Sequence, residues 1–176
     1  NWRDLKTPDF HHGVPQAIDG ILEVAQELTG VPPLLQISAP YSLAADIYGQ
    51  EPLLADVVNN PSQVNALLDH LGDVVLGPWM DHFFRKFSDG WVELSDASGS
   101  PFFIGPENCI NMSIRSIRHM LRDKPYASRV FDNNFRGDIV TESEKKSRRS
   151  KRRSKEVVSN HSDRLMELTD AKVSVN

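Results

Sequence analysis

Apolar positions along the chain fall into two spacings, and these predict helices that alternate with short strands. Four short apolar runs, bounded by proline, glycine or polar residues, suit buried strands at 34–38, 91–95, 129–132 and 172–175. Between the runs, apolar residues recur at intervals of three and four, as on one face of a helix. This alternation predicts an α/β fold with a parallel sheet and right-handed crossovers.

Local signals set the ends of the helices. The apolar positions of residues 14–28 predict a first helix, and Asn60 and Pro61 suit the N-cap and first position of a second long one. Gly77 and Pro78 should kink or split that second helix. Two further helices are predicted, from Ser42 to Tyr48 and from Pro106 to Leu121.

Charge divides the chain into unequal parts. Residues 1–140 contain 10 lysines and arginines against 18 acidic residues, a net charge of −8, whereas residues 141–176 contain 10 against 6, a net of +4. The positive excess lies in a serine-interrupted basic run at 145–155 that must be solvated. We therefore expect an α/β portion at 1–140, a basic linker or exposed helix at 141–156, and a helix and strand at 157–176 that continue the α/β fold.

The basic run has three interpretations. It is a solvated linker or helix face, a nucleic-acid or nuclear-import patch, or a docking segment for an acidic partner. No aromatic residue interleaves with the cations, and the main body is acidic, so nucleic acid is not the expected partner. No stretch is long and apolar enough to span a bilayer, no secretory leader opens the chain, and a single cysteine, Cys109, excludes a disulfide scaffold. A cytoplasmic protein with no membrane contact is expected.

Polar residues follow the strands at their carboxyl ends, where parallel α/β folds bind ligands. Asp96 and Ser98 follow the second strand, and a glycine beside them permits close approach of the backbone. This loop is either a ligand site or a turn held by side-chain hydrogen bonds.

The first and third strands offer similar groups. Tyr41 and Ser42 follow the first strand, and Asp132 and Asn133 lie at the end of the third. Arg136, three residues beyond Asn133, either binds a ligand carboxylate through its guanidinium fork or pairs with a nearby aspartate. We expect Tyr41, Ser42, Asp96, Ser98, Asn133 and Arg136 to converge on one cleft.

The other motifs give less information about function. No glycine-rich dinucleotide or phosphate loop occurs, nor a Gly-x-Ser-x-Gly elbow. His11 and His12 form a pair in a loop, but the sequence nearby provides no further metal ligands. Cys109 beside Ile110 suits a small packed thiol. Neither a metal nor a cofactor is expected.

Three segments in order resemble the uroporphyrinogen decarboxylase family. Residues 37–44 (Ile-Ser-Ala-Pro-Tyr-Ser-Leu-Ala) are similar to its strand that ends in Ala-Pro, an aromatic residue, Thr or Ser, and Leu. Residues 60–64 resemble its His-Pro helix start, and residues 91–99 its strand that ends in an acid, serine and glycine cluster. The resemblance covers residues 20–140 and implies a (β/α)8 barrel, of which this chain would supply about four strands.

The resemblance also implies an activity and roles for residues. It implies a lyase that removes CO2 from a polycarboxylate of the tetrapyrrole type without a cofactor, as in porphyrin biosynthesis. Tyr48 lies two residues from the position of the family's essential tyrosine, which here is Asp46, and Ser98 or Ala97 matches its serine. The catalytic residues are then expected to be Tyr48, Asp96 and Ser98, with Tyr41, Ser42, Asp132, Asn133 and Arg136 binding an anionic substrate.

Two alternatives stay open. The same superfamily contains zinc-dependent corrinoid methyltransferases, which carry His-x-Cys where this chain has Asp132, Asn133 and Asn134. Those residues do not supply the soft ligands of such a zinc site. The chain could instead be a non-catalytic α/β domain that docks on an acidic partner. A homodimer is compatible with any of these interpretations.

Overall fold

The computed structural model describes residues 1–134, in which three parallel strands form one sheet. The strands are β1 (Leu34–Ser38), β2 (Trp91–Ser95) and β3 (Val130–Asn133), in the order β1-β2-β3. Both neighbouring pairs are parallel, so three of the four strand predictions and the mixed α/β class are confirmed. The strand predicted at 172–175 and the basic run lie outside the described residues.

Helices make up most of the described chain. They are α1 (Gly13–Thr29), α2 (Pro40–Tyr48), α3 (Gln50–Asn59), α4 (Pro61–Leu71), α5 (Gly77–Lys86), α6 (Pro101–Asn108) and α7 (Arg115–Met120). Two π-helical segments, Gly72–Leu76 and Cys109–Ile114, lead into α5 and α7, and short 3-10 turns occupy Trp2–Asp4 and Ala127–Arg129.

The Gly77-Pro78 step takes the form of a π-helical turn. The Gly77 amide donates to the carbonyl oxygen of Gly72, five residues back, and Pro78 has no amide to continue the α-helical pattern. A Cβ on Gly77 would lie 2.8 Å from that oxygen, so the turn requires glycine. The predicted interruption of the helix is confirmed. It arises because proline has no backbone N–H to donate.

The other helix predictions differ in detail from the structure. Helix α3 was not predicted. Asn60 and Pro61 occupy the N-cap and first position of α4 as predicted, but the Asn60 side chain donates to Asp56 and makes no capping hydrogen bond. In α1, Val14, Ile21 and Leu28 are exposed, although they share the predicted apolar face. Only the partly buried members of that face, Ile18 and Leu22, pack against the core.

The core has two parts that meet around α2. One lies between the sheet and the helices; its main members are Leu35, Ile37, Val92, Leu94, Met80, Phe83, Phe84, Phe87, Ile117 and Met120. The other joins α2, α3, α4 and the segment after α6; its main members are Tyr41, Leu53, Val57, Leu67, Leu68, Leu71, Ile104, Cys109 and Met112. The helices therefore bury one face of the sheet.

The opposite face of the sheet is open. Successive residues of a strand point to opposite faces of the sheet. The residues that alternate with the buried ones therefore lie on the open side. Leu34, Trp91 and Phe131 on this side are 47%, 45% and 45% exposed. No element within residues 1–134 buries these three side chains. Parallel sheets normally have both faces covered, which makes this open face an unusual feature.

Candidate functional site

The carboxyl ends of the three strands lie level with one another. Ser38 is in register with Ser95, and Ser95 with Asn133. The pairing continues past the strand ends, because the Ala39 amide donates to the Ser95 carbonyl and the Asp96 amide to the Asn133 carbonyl, both at 2.9 Å. Within residues 1–134, the polar groups at the carboxyl ends of the three strands thus gather at one sheet edge, with some on each face.

A network of polar side chains crosses the open face near this edge. The carboxylate of Glu93 accepts from Asn133 Nδ2 at 2.7 Å and from Gln36 Nε2 at 3.3 Å. Gln36 Nε2 also lies 3.0 Å from Ser95 Oγ. Glu93 is half-buried and its partners reach it from both neighbouring strands. We call Gln36, Glu93, Ser95 and Asn133 the open-face network.

The open face changes character along the strands. Leu34 and Trp91, in register with each other, form an apolar floor toward the amino ends. The next row along this face is Gln36, Glu93 and Phe131, and the last row is Ser95 and Asn133. An apolar wall with a few converging polar groups is the usual composition of a small-molecule site.

A second cluster lies on the helix-covered face around Asp96, whose side chain is fully buried. Ser42 Oγ donates to Asp96 Oδ1 at 2.9 Å, and Ser113 Oγ donates to Oδ2. The backbone amides of Gly99 and Ser42 also donate to this carboxylate. Burial raises the pKa of Asp96, and the four hydrogen bonds oppose that rise. The carboxylate therefore joins the start of α2, its own loop and the π-helical segment before α7.

Glycine at position 99 makes this arrangement sterically feasible. A Cβ there would lie 2.6 Å from Asp96 Oδ1 and closer still to Oδ2. The same loop is fixed from a second direction, because the Ser98 amide donates to Ser42 Oγ at 3.2 Å. Asp96 thus acts as a positioning residue that fixes the shape of the loop.

Three further ionisable groups surround Asp96. Burial, and then the charge of Asp96, raise the pKa of Asp132 to about 7 and that of Tyr41 to about 12. Burial, followed by the charges of Asp96 and Asp132, raises the pKa of the Cys109 thiol to about 11. Within residues 1–134, Asp132 Oδ1 and the Tyr41 hydroxyl are buried without a hydrogen-bond partner. Asp132 is thus a carboxyl group that changes its protonation near neutral pH.

Asp132 gives a stability prediction with a definite sign. Its pKa is about 7 in the folded chain, against an ordinary value of about 4 when unfolded. Its contribution to stability is therefore fully present below pH ~4 and is lost as the pH rises to ~7. We expect Asp132→Asn to reduce the loss of unfolding free energy between pH 4 and 7 by on the order of 1 kcal/mol, a figure lowered for partial exposure.

Urea unfolding followed by circular dichroism at several pH values measures this effect. Asp46→Asn is the control, since Asp46 is exposed on α2. Equal pH profiles for the parent chain and Asp132→Asn would contradict the assignment.

The structure brings together most of the residues predicted from the strand ends. Tyr41, Ser42, Asp96 and Ser98 lie in one cluster, but Tyr41, Ser42 and Asp96 are buried there and do not line the predicted cleft. Asn133 lies at the same edge, but its side chain belongs to the open-face network. Arg136 lies outside the described residues.

Two predicted catalytic residues have other roles in the structure. Asp96 is directed into the helix layer, fully buried and surrounded by donors, so it is not positioned to contact a ligand on the open face. Tyr48 ends α2, is 43% exposed, and donates its hydroxyl to Asp56 on α3 at 2.9 Å. Both corrections have the same origin, because position along the chain does not fix the direction of a side chain.

The sequence analysis missed Gln36, Glu93 and Ser113. The first two are the central residues of β1 and β2, and their alternation with buried apolar residues was the available signal. Ser113 is 17 residues from Asp96 and gives no local signal.

Within residues 1–134, no three histidine, cysteine or acidic side chains gather as a metal site, and no helix combines the length and apolarity needed to span a bilayer. Comparison of the chain with protein-family models, curated proteins and solved structures gives no match. The function of the chain is therefore inferred from the geometry of its site.

Proposed function

We propose that this chain forms part of a (β/α)8 barrel of the uroporphyrinogen decarboxylase type and removes CO2 from a tetrapyrrole-type polycarboxylate without a cofactor. The observation that carries the proposal is the open-face network at the carboxyl edge of a parallel sheet. In a barrel of parallel strands, that position lies inside the mouth, where substrates bind.

The open sheet face supports a barrel. The buried side of β1 and β2 is covered by helices, as on the outside of a barrel. The other side presents large apolar groups that are about half exposed, as at Leu34, Trp91 and Phe131. Further strands curving round this face would bury those groups and give each outer strand a second partner. A layer of inward side chains is the ordinary filling of such a barrel.

The open-face network suits the chemistry of a pyrrole substrate. Pyrrole N–H groups are donors, and the Glu93 carboxylate is an acceptor held between two strands by Asn133 and Gln36. The second N–H of the Asn133 amide, with the fork of Arg136, would bind the carboxylate arms. The buried cluster around Asp96 fixes the loop that carries Ser98, whose hydroxyl would donate to the reacting arm.

The reaction requires proton transfers but no electron carrier. Protonation of a pyrrole carbon creates a cationic ring next to the acetate arm. The bond between the arm and its carboxylate then breaks, CO2 leaves, and the bonding electrons neutralise the ring. A second proton adds to the exposed methylene carbon to form a methyl group, and loss of the first proton restores the pyrrole. The protein must orient one arm and supply these protons.

Glu93→Gln tests the role of the open-face network. The substitution keeps the shape but removes the charge that strengthens a hydrogen bond from the substrate. Such a bond contributes about 1.5–3 kcal/mol, so we expect binding of reduced uroporphyrinogen to weaken at least ~10-fold. Titration of the full chain measures binding, and chromatography of the products by carboxylate number measures decarboxylation.

Glu27→Gln on the exposed side of α1 is the matched control and should leave both measurements unchanged. The parent chain should bind the polycarboxylate and not its neutral ester. Equal binding of both compounds, or no binding of either, would contradict the proposal. Binding without release of CO2 would contradict the proposed enzymatic activity and would indicate a carrier or a docking domain.

A further inference from the structure

We infer a second ligand site at the opposite, amino end of the strands, specific for a planar aromatic ring that carries an anionic group. It is a cavity of about 480 Å³ lined by Asp81, Phe84, Arg85, Pro125, Tyr126 and Arg129. The Arg129 guanidinium donates to the carbonyls of Ser88 and Gly90, just before β2, and Arg129 itself immediately precedes β3. The cavity thus lies apart from the open-face network.

Flat groups form the apolar part of this cavity. The rings of Phe84 and Tyr126 are stacked, with centroids 4.2 Å apart and planes inclined by 18°. The guanidinium carbon of Arg129 lies 4.7 Å from the centre of the Phe84 ring. Both aromatic residues are largely buried, so the rings and the guanidinium are fixed in place. An aromatic ligand would therefore meet the edges of these rings and the plane of the guanidinium, both of which form favourable contacts with aromatic groups.

The charges in the cavity are unevenly paired. Asp81 accepts from Lys124 Nζ at 2.7 and 2.9 Å and from the Tyr126 hydroxyl at 2.5 Å. Its negative charge is therefore already matched by a neighbouring lysine. By contrast, among residues 1–134 Arg85 makes no direct hydrogen bond or ion pair and interacts with Asp81 only at longer range, and Arg129 uses only Nη1 in its hydrogen bonds.

Two guanidinium groups with free donors thus line a cavity in a body whose net charge over residues 1–140 is −8. An anion is the complementary charge, and guanidinium groups bind carboxylates and phosphates through paired N–H donors. The volume is within the range of small-molecule pockets, roughly 300–1,000 Å³. Aromatic carboxylates and nucleoside monophosphates are two sources of the same chemistry.

Calorimetric titration of the full chain tests this site. The probes are 1-naphthoate and adenosine monophosphate, with naphthalene methanol, adenosine and inorganic phosphate as comparisons. We expect saturable binding of at least one aromatic anion, at least tenfold tighter than that of its neutral analogue. Preference between the two anions identifies the source as a carboxylate or a phosphate. Inorganic phosphate should bind more weakly because it lacks the ring.

Variants separate this site from the open-face network. Arg85→Ala removes an exposed side chain and should weaken binding of the aromatic anion at least tenfold without loss of the helical circular dichroism signal. Arg118→Ala, on the exposed side of α7, is the matched control and should leave the affinity unchanged. Glu93→Gln should also leave it unchanged, so this inference stands or fails independently of the proposed decarboxylation.

Three results would overturn the inference. These are no saturable binding of either aromatic anion up to millimolar concentration, equal binding of anionic and neutral probes, or an unchanged affinity in Arg85→Ala. In the last case the anion binds elsewhere on the protein.

Discussion

Asp96→Ala is expected to destabilise the folded chain by about 3–5 kcal/mol, because several buried donors lose their only shared acceptor. The donors are the hydroxyls of Ser42 and Ser113 and the amides of Ser42 and Gly99. Alanine provides no acceptor, and the space it leaves is enclosed, since Asp96 is fully buried. Relief of the desolvation of the charge offsets only part of this loss, because each unsatisfied donor costs about 1–3 kcal/mol.

Urea unfolding at neutral pH measures the change in free energy. Asp46→Ala on the exposed side of α2 is the matched control and should change stability by less than about 0.5 kcal/mol, as is usual for surface positions. Asp96→Asn should fall between the two, since its amide keeps one acceptor oxygen. If Asp96→Ala is within about 1 kcal/mol of the parent chain, the carboxylate does not hold the loop in place.

The second large effect is expected for Gly99→Ala, at about 2–4 kcal/mol of destabilisation. The new methyl group would lie within 2.6 Å of Asp96 Oδ1. The carboxylate cannot move away without losing donors from both α2 and the segment before α7. Overpacking of a tight interior costs about 1–3 kcal/mol, and lost hydrogen bonds add to this.

Gly20→Ala is the natural comparison. Gly20 lies within α1, and a Cβ there meets no atom within 4 Å. That substitution should stabilise the chain by roughly 0.5–1 kcal/mol, because alanine loses less backbone entropy in a helix.

A double-mutant cycle connects the two predictions. If Gly99→Ala acts through the carboxylate, it should cost less in the Asp96→Ala background, where the oxygens that it clashes with are gone. Additive effects would show that the methyl group disturbs the loop by another contact.

The strand positions follow from local sequence. The segments at 34–38 and 91–95 become β1 and β2 with those bounds, since proline or glycine ends the preceding segment and buried apolar residues alternate with residues of the open face. Their parallel pairing follows as well, because a helix-bearing connection returns the chain to the same end of the sheet. The gathering of polar residues at one edge is a consequence of that pairing.

Only the tertiary structure decided which groups share a face. Glu93 and Asp96 are three residues apart, yet Glu93 lies in the open-face network and Asp96 in the helix layer. The sequence analysis chose Asp96, because it follows the strand. The alternation of side chains along the strand places the two acids on opposite faces of the sheet. Which of these faces is buried is decided only by the helices that cover one of them.

Contacts between residues that are distant in sequence could likewise not be predicted from local sequence patterns. Ser113 reaches Asp96 across 17 residues, and Asn133 reaches Glu93 across 40. The amphipathic pattern of α1 predicted a helix but not the exposure of Val14, Ile21 and Leu28, because burial depends on what packs against the helix. Helix and strand positions in this chain are thus set by local backbone preferences and spacing, whereas its candidate site is set by the long-range packing that orients each side chain.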